Sequence, residues 1–191
     1  MLTPPWETIG RTAGLVLLLG VFVTFPGLMM FMLRGGHRGG APRSRAHYVT
    51  ERASIMTGAG LTAIGFVLLA DYLQTTAGRS LAIGGAAAYF FGSVLIVAAE
   101  ALNLTLGYKQ VYGLIVSFVV SACLAQIIIG GALLQATAIG AWLGWVTILW
   151  NAACLIGLSL FSRRDMYFPV VHQVAPLLIG LALLGLGTRG Q

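Results

Sequence analysis

Acidic residues are almost missing from this chain. Asp and Glu together number five in 191 residues, and with eleven Lys and Arg the charged fraction is only 8%. Soluble domains carry about 25% charged residues, so this chain cannot cover a globular surface with polar groups. A soluble enzyme and a disordered regulator are excluded on that ground. Only two cysteines are present, Cys123 and Cys154. They are too few for a secreted disulfide scaffold, and both fall in apolar runs where a free thiol behaves as a small hydrophobe. The one lysine, Lys109, sits at the edge of an apolar run, which leaves no candidate for a retinal Schiff base. Of three histidines, His37, His47 and His172, only the last lies in such a run. A haem held by two imidazoles within the membrane needs a pair there. H-E-x-x-H and G-x-S-x-G are absent, and the few carboxylates and histidines assemble neither a zinc site nor a nucleophile with its base. The expectation is a protein that is not an enzyme and carries no cofactor or metal.

What the chain has in abundance is apolar residues, 58% of the total, with a mean hydropathy of +0.92. A bilayer core about 30 Å thick asks for roughly 20 apolar residues per helix. Six runs meet that demand: Ala13 to Leu33, Ala53 to Ala70, Leu81 to Leu102, Val111 to Leu134, Ala138 to Phe161, and Phe168 to Gly187. No run alternates apolar with polar residues as a membrane strand does. The predicted fold class is all-α, a polytopic membrane bundle of six transmembrane helices forming one domain over residues 1–191. The first run is too long for the apolar core of a signal peptide and is followed by Arg34 and Arg38; it reads as a retained helix.

Between the first two runs lies Arg34 to Arg52, rich in Gly and Arg, which reads as a flexible polar loop. With six spans, one side of the membrane collects Arg34, Arg38, Arg43, Arg45, Arg52, Lys109, Arg163 and Arg164, and the other only Arg11, Arg79 and Arg189. Positive charge favours the inside, so the loop is expected in the cytoplasm and both termini outside, in a plasma or inner membrane. Tyr108, Tyr112, Tyr167 and Phe168 then anchor the inner interface, and Trp6, Tyr72, Trp142 and Trp145 the outer.

The net charge of +6 does not imply nucleic-acid binding. Five arginines share the one loop, accompanied by the single aromatic Tyr48. Arg34, Arg38, Arg43 and Arg45 are instead candidate contacts for anionic lipid, each contributing about 1 kcal/mol near such a surface.

Few polar residues lie within the runs, and they form the candidate intramembrane site. Glu100 continues a ridge of Gly84, Ala88, Gly92 and Ile96 at four-residue spacing, where small residues let membrane helices approach. It is expected to face the bundle interior. His172, at an equivalent distance from the end of the sixth run, is the expected partner, with Lys109, Arg163 and Arg164 as alternatives. Gln126 and Asn151 lie deeper, with Thr147 one turn before Asn151. Neutral amides at depth serve either as glue between helices or as a lining for uncharged hydrogen-bonding solutes. Gly140 and Gly144 form a GxxxG pair on the fifth run. Pro26 and Pro176 are expected to kink the first and last helices at similar depth, as in helices broken around a transporter site.

Two function classes follow. The first is a small channel or permease for a neutral or weakly polar solute. The alternative is a non-catalytic subunit, packing as a homo-oligomer or within a larger membrane complex through its Gly and Ala ridges.

Overall fold

The computed structural model describes residues 5–33, 44–106, 108–136, 139–161 and 171–186. It is all-helical, with no strand among the described residues. Six α-helices follow one another: α1 (Pro5–Leu33), α2 (Arg45–Tyr72), α3 (Arg79–Leu106), α4 (Tyr108–Leu134), α5 (Ala141–Phe161) and α6 (Val174–Leu186). A 3-10 turn, Val171–Gln173, leads into α6. The first five helices are long and apolar enough to cross a bilayer.

Two boundaries correct the sequence reading. The polar stretch before the second run is not loop to its end, because α2 starts at Arg45. Ser44 caps it in extended conformation, its hydroxyl oxygen accepting the His47 amide N–H at 3.1 Å. Hydropathy alone placed the boundary at Ala53, since the first two turns of α2 are polar; the Ser cap was the available signal. At the other end, α6 has 13 residues, about 20 Å at 1.5 Å per residue, well short of a 30 Å core. Pro176 lies in the first turn of α6, where its missing amide breaks no internal hydrogen bond. The expected kink there is absent because the helix begins only two residues before the proline.

Pro26 does lie inside α1, and a side chain from α2 meets the ladder just after it. The Gly27 amide donates to Ser54 Oγ at 3.1 Å, and the Ser54 hydroxyl donates to the Val23 carbonyl. A polar side chain inserted beside a proline is a recognised cause of a local helix distortion.

Neighbouring helices pack in the order α6, α1, α2, α3, α4, α5, and α5 leans on α4 far more than on α6. Small residues set the close approaches. A Cβ on Gly58 of α2 would come 2.8 Å from the Gly20 carbonyl of α1. Gly14 and Gly180 meet in the same way between α1 and α6, and Gly130 and Gly144 between α4 and α5. Gly144 therefore acts across helices with Gly130. Its supposed GxxxG partner, Gly140, is instead the turn residue before α5, with φ +86°, a conformation that favours glycine.

The buried stripe of α3 runs Ala82, Gly85, Ala86, Tyr89, Gly92, Ser93, Ile96, Ala99, Glu100, Asn103. This alternation of three and four residues is the heptad seam of coiled-coil packing. The four-residue ridge expected from Gly84 does not hold over its length. At 3.6 residues per turn each step of four rotates about 40°, so Gly84 lies roughly 160° from Glu100. Gly84 accordingly has open space where a Cβ would be, while Gly92, Ile96 and Glu100 are buried.

Candidate functional site

Twelve polar residues are buried among those described, and most fall into three groups. The first lies at the end where α1 finishes and α2 begins. Arg52 donates from Nη1 to both Glu100 oxygens, at 2.8 and 3.0 Å, and its Nη2 lies 2.9 Å from Glu51 Oε1. Asn103 Nδ2 adds a long contact of 3.5 Å to Glu100. Tyr48 stacks its ring 4.9 Å from the guanidinium carbon, with Phe31 at 6.0 Å on α1. An arginine fork suits this place because its planar donors satisfy two carboxylates at once while its faces remain apolar enough to lie against rings.

Glu100 does face the interior, but its partner is Arg52 and not His172. Lys109 is exposed on α4, and Arg163 and Arg164 lie outside the described residues. The pairing was missed because Arg52 was assigned to a loop. Once α2 extends to Arg45, Arg52 and Glu100 stand at the same level of two antiparallel helices.

The second group surrounds the 3-10 turn. His172 Nε2 is 2.8 Å from the Tyr89 hydroxyl and 3.4 Å from Gln173 Nε2. Which group donates in these two contacts depends on the imidazole tautomer, and Nδ1 has no hydrogen-bond partner. Thr62 Oγ1 donates to the Gly58 carbonyl at 2.9 Å and lies 3.5 Å from Gln173 Oε1. Phe66 packs edge-on against Tyr89 and Phe118 edge-on against His172, at centroid distances of 4.9 and 5.1 Å. Ser93, one turn along α3, donates to the Tyr89 and Ala59 carbonyls at 3.0 and 3.3 Å. Trp150, near the middle of α5, donates its indole N–H to the Val171 carbonyl at 2.8 Å.

Tyr89 and Trp150 both stand near the middle of long helices, so the start of α6 lies well inside the bundle. His172 is therefore not level with Glu100: a full span beginning at Phe168 would put it near one surface, whereas α6 starts only at Val174 and His172 contacts mid-helix Tyr89. Tyr89 was not singled out from sequence at all. An aromatic residue in an apolar helix gives no hint that its hydroxyl is used internally.

The third group joins α4 to α5. Asn151 Nδ2 donates to Gln126 Oε1 at 3.2 Å and to the Thr147 carbonyl at 2.8 Å. Gln126, Thr147 and Asn151 are all fully buried. Three of their polar atoms remain unpaired: the Gln126 Nε2 donor, the Asn151 Oδ1 acceptor and the Thr147 hydroxyl. Each such atom costs roughly 1–3 kcal/mol when left without a partner. The sequence reading chose both amides, and the structure brings them into contact. Of the arginines read as lipid contacts, Arg45 opens α2 and is exposed, while Arg34, Arg38 and Arg43 lie outside the described residues. Comparison with family models, with curated proteins and with solved structures gave no match.

Proposed function

We propose that this chain is a small membrane transport protein, a channel or permease, for a neutral solute that both donates and accepts hydrogen bonds. One observation carries the reading: Gln126, Asn151 and Thr147 hold an unpaired donor, an unpaired acceptor and an unpaired hydroxyl within a fully buried contact of α4 with α5. A solute leaving water must have its hydrogen bonds replaced to keep the barrier low. An amide or hydroxyl compound can use all three groups. An inorganic ion finds no fixed charge beside them, since α5 contains no Asp, Glu, Lys or Arg. The charges of the Arg52 group are already engaged with one another.

Liposomes holding the purified protein test this by swelling in a panel of small neutral solutes, repeated with proton and sodium gradients to reveal a coupled permease. Asn151→Leu and Thr147→Val should each lower the responsive flux at least tenfold in protein that still elutes as a folded species. Rates equal to those of empty vesicles for every solute, with and without gradients, would reject transport.

A second reading, a subunit of a larger membrane assembly, is favoured by α5. Among the described residues that helix packs mainly on α4 and presents Trp142, Trp145, Leu149, Ile156 and Leu160 outward. Purification in mild detergent separates the readings, because an obligate subunit should carry fixed partners.

A further inference from the structure

Between α2 and α3, at the end of the bundle remote from the Arg52 group, an open groove of 430 Å³ runs along the outer side of the two helices. Val67, Ala87 and Phe90 wall its deeper part, and Asp71, Gln74 and Arg79 stand at its rim near the turn joining the helices. From Arg79 to Phe90 the groove follows α3 for about 16 Å, so an extended hydrocarbon chain fits lengthwise. Polar groups occur only at one end, which is the outline of an amphiphile.

The rim charges stand at the wrong helix ends for their own stability. Asp71 is in the last turn of α2, where the helix dipole is negative, and Arg79 is the first residue of α3, where it is positive. Each is therefore disfavoured by its own helix, and the side chains form no ion pair with each other. A bound group carrying both signs corrects both defects. A phosphate beside Arg79 would also meet the positive end of the α3 dipole, and an ammonium beside Asp71 would meet the negative end of the α2 dipole.

We propose that this groove binds one phospholipid with a primary-amine headgroup, of the phosphatidylethanolamine type. One acyl chain lies along Val67, Ala87 and Phe90, the phosphate is at Arg79 and the ammonium at Asp71. The site is separate from the solute contact between α4 and α5, and either reading can fail without the other.

The test is native mass spectrometry of the protein released from nanodiscs containing equal amounts of phosphatidylethanolamine, phosphatidylcholine and phosphatidylglycerol. The wild type should retain the ethanolamine lipid over the glycerol lipid by roughly tenfold, the worth of one charge-assisted hydrogen bond. It should also exceed the choline lipid, whose quaternary nitrogen has no N–H to donate. Asp71→Asn should abolish the preference over the glycerol lipid, Arg79→Gln should weaken all three, and Ala87→Trp should fill the groove and lower all three roughly tenfold. All three side chains are exposed, and an unchanged unfolding temperature checks that each variant is intact. Equal retention of the three lipids by the wild type, a preference for the glycerol lipid, or undiminished binding in Ala87→Trp would overturn the proposal.

Discussion

Removing the Arg52 guanidinium leaves the Glu100 carboxylate buried with only the long Asn103 contact to hold it. Breaking a buried pair from one side costs about 3–5 kcal/mol, whereas replacing both partners by apolar groups of similar volume is frequently near neutral. Arg52→Met should therefore lower stability in mild detergent by that order, and Arg52→Met with Glu100→Met by much less. A strongly non-additive cycle in denaturant or thermal unfolding is the expected result; additive losses would show that the ion pair contributes little to the fold. The same cycle on Glu100→Gln and His172→Gln should be additive within about 0.5 kcal/mol, because the two residues share no partner and are held by different groups. What sequence conveyed at this scale was which residues are out of place in an apolar helix: Glu100, Gln126, Asn151 and His172 all proved buried. It conveyed partners only where depth had been judged correctly, as for Gln126 with Asn151.

At the scale of the element, glycines separate into those that hold a crossing and those that do not, and their identity alone does not say which. Gly144 and Gly84 are both helical, and both sit in spacings that suggest packing. Only Gly144 has the Gly130 carbonyl and the Leu134 side chain 2.8 Å from where a Cβ would stand. Gly144→Ala should force α4 and α5 apart and destabilise by about 1–3 kcal/mol. Gly84→Ala should be neutral or stabilising by up to about 1 kcal/mol, since nothing obstructs it and alanine is the better helix former. Thermal unfolding of the two variants side by side is sufficient, and equal effects would remove the crossing argument. The existence of the five long helices was legible because length and hydropathy suffice to find them. Their inner faces were less so, because a four-residue ridge and a heptad seam diverge within a few turns and only the neighbouring helices decide between them. The ends were least legible, because α2 begins with polar turns and α6 is short.

For the whole molecule, the structure fixes which ends lie together. Gly14 of α1 meets Gly180 and Leu183 of α6, while Gly180 meets Leu18, so the two helices are antiparallel and α6 finishes beside the start of α1. That same end holds the α2–α3 turn, since Gly10 packs against Tyr72. The opposite end carries the Arg52 group and the start of α2. Arg52 is no longer a loop charge, but the remaining Lys and Arg still favour that end, and the inside-positive bias counts residues near helix ends whatever their local structure. On that bias we propose an orientation with the Arg-rich connection in the cytoplasm and both termini outside. A reporter active only in the cytoplasm, fused after Gln191, should be silent, and the same reporter inserted after Gly40 should be active. Matching signals at the two positions would contradict the packing of α6 on α1, because those sites then could not lie on opposite sides. Inverted signals would keep the fold and reverse the molecule, moving the phospholipid groove of α2 and α3 to the cytoplasmic leaflet.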